Sequence, residues 1–483
     1  MKAIFRATAI LSGSSVVTIL VGLVSAKVMA SILQPAGYGY YGLLQSFVLL
    51  TSLIAGLGIS TGLVRMGAGA VTQGDQATIS SLRKASWLLF CGLGALALLL
   101  LALCRRTMSR WALGTPDHAV TILLMGIALL FTVAGQIQSG TLNAYHRVAA
   151  LAKCSVATTV LSASIGITCV LIWRVQGIVP AVIGTAVIGW RVSSHFLRRD
   201  VGRVPVRPTG GDTLKAAWSL LHFGGPFTGS MLVGSGVQLA MPMLVMHLLN
   251  TESVGYYKAA VAVSVGYLGF LVTAMGQDYY PRVSAVKDQP RALVELINEQ
   301  HRLVMIVAVP MILGTLALVP YLVPLVYSHK FIPTVEILEW QLIGDLFKFS
   351  SWTMSFAILA RCRSSVYFLT EAIAGVASLV TLWLAVRWFG LPGLGISFLA
   401  SYVIYYFVVW AVVRREVPLV WTDSNKKMML AAVGAALLIR ILPFTRFANF
   451  RTLVALLLAL GAGAHSLHAV WWELWRRKEI RAA

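Results

Sequence analysis

Apolar runs of about twenty residues recur along the whole chain, divided by short polar breaks rich in Lys, Arg, Gly and Pro. Fourteen can be marked, at about 7–33, 42–66, 85–104, 119–142, 148–173, 177–197, 215–249, 255–281, 302–327, 335–360, 364–388, 391–413, 427–444 and 451–472. Each is long enough to cross a hydrocarbon core of ~30 Å as an α-helix. The two-residue alternation of a membrane β-barrel is absent. The pattern predicts an all-α polytopic membrane protein.

The runs are internally repeated. Residues 31–42 read SILQPAGYGYYG and residues 247–258 read HLLNTESVGYYK. Leu33 falls on Leu249, and Gly39-Tyr40-Tyr41 on Gly255-Tyr256-Tyr257, at one offset of 216 positions. Gly13-Ser14 meets Gly229-Ser230 at the same offset, and Arg65 meets Arg282 once a single residue is inserted. Copies in the same orientation need an even number of spans each, and about 216 residues accommodate six. The expected organisation is a six-helix lobe at 1–197, a basic cytoplasmic linker at 198–214 and a second, pseudo-symmetric six-helix lobe at 215–416. Residues 417–483 then add two helices and a basic tail.

Composition narrows the class. Hydrophobic residues make up 58% of the chain and charged residues 12%, against about a quarter charged in a soluble protein; mean hydropathy is +0.81. The formal charge of +22 reads as retention of Lys and Arg in cytoplasmic loops and attraction to anionic headgroups. Nucleic acid is not an expected partner, because the basic residues are scattered and form no domain. With both termini in the cytoplasm, about 27 of the 39 Lys and Arg fall inside and about 10 outside. Two outside clusters resist the rule, Arg105/Arg106/Arg110 and Arg440/Arg446/Arg451. They fit either short interfacial helices or a misplaced span.

Lys2 and Arg6 ahead of an apolar run, followed by Val28-Met29-Ala30, raise the question of a cleaved leader. The run exceeds the 7–15 residues of a signal core, and residues 11–33 have a partner copy at 227–249, so the first span is expected to stay. Cys91, Cys104, Cys154, Cys169 and Cys362 lie in or beside spans without metal-ligand spacing and read as small buried hydrophobes. No phosphate-cradling Gly-rich loop followed by Lys-Ser/Thr occurs, and the loops are too short for a catalytic domain. No cofactor, metal or catalytic residue is expected.

The N-terminal stretch, with Gly13-Ser14-Ser15 and then LQPAGYGYYGLLQSF and GLGISTGLVR, resembles polysaccharide flippases. So do the fourth-span ending QSGTLNAYHR and the eighth-span ending DYYPRVSA, with Pro281 at a position where these proteins often carry proline. The resemblance is to the O-antigen (Wzx-type) branch of the multidrug/oligosaccharidyl-lipid/polysaccharide (MOP) exporter superfamily, and covers about residues 5–415. It implies two lobes arranged as a V that alternate between inward-open and outward-open states. The implied cargo is an undecaprenyl-pyrophosphate-linked oligosaccharide of O-antigen or lipopolysaccharide type, moved across the bacterial inner membrane. Implied partners are that lipid-linked oligosaccharide, membrane lipids, and polysaccharide polymerase and chain-length regulator proteins.

Such a cargo makes physical demands. Its pyrophosphate is expensive to desolvate, so the path needs fixed cations, and its sugars need a wide polar cavity. Lys27 lies about six residues, or ~9 Å, before the outer end of span one. It fits a cavity cation or a side chain snorkelling to the interface; on a helical wheel it sits beside Leu20, Leu23 and Val24. Arg65 and Arg282 occupy matching inner ends of spans two and eight, as headgroup ligands or as topological anchors. Arg147 ends span four. Asp278 stands four residues before Arg282, spaced for a local salt bridge, and is a further candidate for ion coupling.

Acidic residues inside spans are few. Asp345 and Lys348, near the middle of span ten, are spaced to pair at i,i+3. Glu371 lies about eight residues, or ~12 Å, into span eleven, with no basic neighbour on its own helix. Each is a candidate for ion coupling or for a structural polar contact.

Three classes of function are in play. A lipid-linked oligosaccharide flippase fits the basic candidates, and a lipid II flippase, also with two extra C-terminal helices, is its near alternative. A MATE-like small-cation antiporter would line its cavity with acids. A membrane glycosyltransferase or polymerase would place an acidic motif or a large domain in an outer loop, and the first outer loop, QPAGYGYYG, has no acid.

Overall fold

The computed structural model describes residues 2–202, 209–274, 278–361, 364–442 and 448–482. Among them every regular element is helical and there is no strand. A bilayer demands this, since it offers no water to backbone N–H and C=O groups. Each of the fourteen expected spans corresponds to a helix or a pair of helices.

The differences lie at the breaks. The outer loop expected near 34–42 is a single bend: Lys2–Gly56 runs helical on both sides of Gln34 (φ 61°, ψ 174°). Pro35 has no N–H to satisfy and its φ suits the first position of a new helix, so the chain restarts at once. Span two breaks instead at Leu57 (φ 39°) and Gly58 (φ 64°) before Ile59–Gln73. Gly58 must be glycine twice over: its φ is left-handed, and the backbone of Gly224 fills the space of a Cβ. Asp75 caps the next helix, Gln76–Leu103, accepting from Thr78 N at 3.0 Å and Thr78 Oγ1 at 2.6 Å. Those two donors hold its carboxyl below the usual carboxylate range.

Arg105–Leu113 is a short helix of nine residues and carries the first of the two basic clusters. Pro290–Val326 has 37 residues, ~55 Å of helix, so much of the stretch expected as a loop before Arg302 is helical.

The chain packs as two compact units, Met1–Gly255 and Tyr256–Ala483. In the first, the glycines of the two repeated GYY segments pass backbone to backbone. The Thr251 carbonyl and the Gly255 amide occupy the space of a Gly39 side chain, and the Pro35 carbonyl occupies that of Gly255. In the second, Pro333–Ala360 and Gly393–Glu416 lie close because Gly344 accepts the Phe398 ring and Gly395 accepts the Ile337 carbonyl and Trp340. Asn298 ties Pro290–Val326 to Asp423–Ile441: its Oδ1 accepts from Thr422 N at 2.9 Å and from Asn425 Nδ2 at 3.0 Å.

Gly39→Ala and Gly255→Ala each force a methyl group onto a backbone carbonyl. Overpacking of this kind costs ~1–3 kcal/mol, so either variant should melt several degrees below wild type in detergent. Gly13→Ala, in open space, should not.

Candidate functional site

The basic candidates occupy different settings. Lys27 is half-buried on the first helix, in line with the lipid-accessible Leu20, Leu23 and Val24. Arg65 is exposed and rests its guanidinium 4.6 Å from the centroid of the Phe223 ring, which stacks in turn on Phe227. No carboxylate pairs with Arg65 among the described residues. Arg147 is exposed at the N-terminus of Val148–Trp173. Arg282 is held between Glu299, at 3.1 Å, and Asp278, at 3.6 Å. The i,i+4 spacing of Asp278 and Arg282 therefore does form an ion pair, and Arg282 has a second carboxylate, Glu299, 17 positions away and beyond any local pattern.

The acidic candidates of the second unit come together. Asp345 is fully buried, accepts a hydrogen bond from Ser264 Oγ at 2.7 Å and pairs with Lys348 Nζ at 3.3 Å. The ammonium of Lys348 faces three rings, Trp352 at 5.1 Å, Phe398 at 5.6 Å and Tyr402 at 5.7 Å, whose π faces favour a cation. One helical turn on, Tyr405 donates to Glu371 Oε1 at 2.6 Å, and its hydroxyl lies 3.2 Å from Ser355 Oγ. The Tyr402 and Tyr405 rings are 6.3 Å apart. Periodicity explains the assembly: Asp345, Lys348, Trp352 and Ser355 form one stripe of Pro333–Ala360, and Phe398, Tyr402 and Tyr405 form the facing stripe of Gly393–Glu416. The chemistry available is a neutralised buried pair beside a single carboxyl with a phenol as its donor.

Two arginines of the second basic cluster outside the positive-inside pattern have carboxylate partners. Arg440 pairs with Glu336 at 2.8 Å and with Glu339 at 3.2 Å. The buried Arg451 pairs with Glu339 and donates from Nε to the Ile439 carbonyl at 3.0 Å. Arg446 lies outside the described residues, as does Cys362. No group of three or more His, Cys, Asp or Glu is arranged to hold a metal among the described residues.

The first unit has an open cavity of 580 Å³ where hydroxyl and amide side chains, among them Gln45, Gln136, Ser139, Ser155, Thr158 and Ser193, mix with apolar ones such as Val48, Leu49, Leu151 and Val182. The rings of Phe131 and Trp190, 5.2 Å apart, add two aromatic surfaces. No charged residue lines it. Its volume is within the ~300–1,000 Å³ usual for small-molecule sites.

A family model for polysaccharide biosynthesis proteins matches residues 28–336. The chain belongs to the polysaccharide biosynthesis protein family. The family match includes Arg65, Arg147, Asp278 and Arg282 and stops short of Asp345, Lys348 and Glu371. Over 421 aligned residues, 83% of this chain and 97% of the relative, this polysaccharide biosynthesis protein is 22% identical to the lipid III flippase of Escherichia coli (strain K12). Its fold matches that of the lipid II flippase MurJ in an inward closed conformation, with a TM-score of 0.72, 14% identity and coverage of 97% of this chain and 99% of the other. An inward-facing multidrug resistance MATE family transporter of the MOP superfamily gives a TM-score of 0.65 at 15% identity, over 85% and 96% of the two chains. The family member shares the fold of these MOP superfamily exporters.

Breaking the Asp345–Lys348 pair from one side leaves an uncompensated buried charge, which costs ~3–5 kcal/mol. Lys348→Met alone should lower the melting temperature of the purified protein sharply. Adding Asp345→Asn should recover most of the loss; a double variant as unstable as the single one would show that the pair is not the source of the effect.

Proposed function

We propose that this polysaccharide biosynthesis protein is an inner-membrane flippase. Its cargo is an undecaprenyl-pyrophosphate-linked oligosaccharide, the repeat unit of O-antigen or another surface polysaccharide, carried to the outer leaflet by alternating access. In this reading both termini are cytoplasmic and the two six-helix lobes are residues 1–197 and 215–416. Family membership supports the flippase reading, and the observation that carries the saccharide part is the uncharged cavity of the first unit. Hydroxyl and amide side chains both donate and accept hydrogen bonds, and aromatic faces suit the apolar faces of sugar rings. A small cationic drug would call for carboxylates, and the cavity lining contains none.

The pyrophosphate would be met by Lys27, Arg65, Arg147 and Arg282. Arg65 is best placed, since an arginine resting on a ring keeps its N–H fork for bidentate contact with an anion. Arg282 would act against the competition of Asp278 and Glu299. Directionality would come from proton or sodium coupling at Glu371, with the Asp345–Lys348 pair as its electrostatic neighbour.

Surface polysaccharide in a flippase-deficient strain, with the lipid-linked unit identified by mass spectrometry, tests the reading. The wild-type chain should restore it, and a lipid II substrate would appear as rescue of peptidoglycan synthesis instead. Charge-assisted contacts are worth ~1.5–3 kcal/mol each. Lys27→Ala, Arg65→Ala and Arg282→Ala should therefore reduce export by about tenfold or more in combination; wild-type export from a correctly inserted triple variant sinks the cationic site. Glu371→Gln should flatten the dependence of transport on external pH, and an unchanged pH profile removes Glu371 from the coupling.

A further inference from the structure

Tyr405 has one proton and two acceptors. Its hydroxyl lies 2.6 Å from Glu371 Oε1 and 3.2 Å from Ser355 Oγ, and a phenol carries a single O–H. The three groups come from three helices: Glu371 from Ser364–Phe389, Tyr405 from Gly393–Glu416 and Ser355 from Pro333–Ala360. Tyr405 and Ser355 are buried and Glu371 is half-buried. The serine and the carboxyl therefore compete for a donor that has few other partners to serve. The distances rank them. Bonds of the O–H···O⁻ kind run to ~2.5–2.7 Å, which fits the contact with Glu371. Bonds between neutral hydroxyls centre on ~2.7–2.8 Å, and Ser355 waits beyond that.

No basic side chain takes up the charge of the carboxyl. Among the described residues no Lys or Arg pairs with Glu371. Tyr367 stands one turn away on its own helix, and Tyr402 approaches from Gly393–Glu416. On Pro333–Ala360, Asp345 and Lys348 pair with each other at 3.3 Å. Arg361, just past the end of that helix, pairs with Glu416 at 3.5 Å.

We propose that Tyr405 and Ser355 position a proton at Glu371 and exclude sodium from it. The proposal rests on the flippase reading and names the ion that its coupling uses. An ionised carboxylate only accepts, so Tyr405 gives it the phenol hydrogen bond. A proton arriving from the aqueous side turns Glu371 into an acid with an O–H of its own to give. Tyr405 then accepts from Glu371 and turns its own proton to Ser355, keeping that proton throughout. Protonation therefore adds a hydrogen bond between Gly393–Glu416 and Pro333–Ala360, closing 3.2 Å toward ~2.8 Å. Loss of the proton to the aqueous side releases it. Sodium has no proton to pass on, and at Oε1 it meets the phenol hydrogen instead of a lone pair.

Infrared difference spectra of the full chain in liposomes, taken between acidic and alkaline pH, test the arrangement without a substrate. The protonated-carboxyl band that is lost in Glu371→Gln belongs to Glu371. It should move to higher frequency in Tyr405→Phe, which leaves the acid no acceptor, and shift in Ser355→Ala, which strands the phenol proton. Tyr367→Phe should leave it in place, as should exchange of sodium for choline, and melting temperatures report whether each variant is folded. In a flippase-deficient strain, export by Tyr405→Phe and Ser355→Ala should lose its dependence on external pH, at low and high sodium alike. A tyrosine with only a structural role would change the amount exported and leave the shape of the profile. The absence of any Glu371 band overturns the proposal, as does a band unmoved in the folded Tyr405→Phe variant, or a band or export that follows sodium. The two readings fail separately: a wild-type chain that does not restore export removes the flippase, while the band still reports on the proton at Glu371.

Discussion

In hydrocarbon, a polar group without a partner costs several kcal/mol and a lone charge more, and the second unit is organised around that constraint. Its most highly charged span, Pro333–Ala360, places Glu336 and Glu339 one turn from its start and Asp345 and Lys348 near its middle. Each finds a partner from another part of the chain or from its own next turn: Arg440 and Arg451, Ser264, Lys348 with Asp345. Because Arg440 and Arg451 belong to the two helices beyond residue 416, neutralising Glu339 also fastens those helices to the unit. About six residues, or ~9 Å, separate that clamp from the Asp345–Lys348 pair. One helix therefore bears both, and the position of the coupling candidates is bound to the docking of the appended helices.

The constraint also separates residues that the repeat had made equivalent. Arg65 and Arg282 occupy corresponding places in the two copies. Yet Arg65 stacks on Phe223, and Arg282 bridges Glu299 and Asp278. A ring attracts a guanidinium through its face and leaves the N–H fork available, whereas two carboxylates consume both charge and donors. Duplication placed the same residue twice, and its neighbours differ: a ring beside Arg65, two carboxylates beside Arg282.

How much of this was legible in the chain follows from which interactions are local. The short helix at 105–113 was one of two alternatives, and the break at Gly58 falls inside the expected second span. Span number depends on hydropathy within a few residues, and the sequence carries it. Asp278–Arg282 and Asp345–Lys348 were legible for the same reason, being one helical turn apart. Glu339 and Arg451 are 112 positions apart, and Tyr405 is 34 from Glu371. A single helix pattern says which face avoids lipid but not which helix covers it. Tyr402 and Tyr405 lie inside the apolar run at 391–413. Their i,i+3 spacing, with Phe398 one turn before, acquires meaning only once Pro333–Ala360 is known to pack there. The repeated GYY segments showed duplication plainly, but not that Gly39 and Gly255 touch.

The first unit has a second hollow, an apolar groove of 690 Å³, and the two are related by the helix between them. On residues 35–56, Gln45, Val48 and Leu49 line the polar cavity, and Leu50, Thr51 and Ile54 line the apolar groove. At ~100° per residue these two sets point in opposite directions. Ala119–Ala144 divides in the same way, with Phe131, Thr132 and Gly135 toward the cavity and Leu129 toward the groove. A water-compatible space and a lipid-compatible space thus stand about one helix diameter apart, ~10 Å. A soluble substrate has use for the first and a bulk lipid for the second. An amphiphile with a sugar head and a prenyl chain, the cargo proposed above, has use for both.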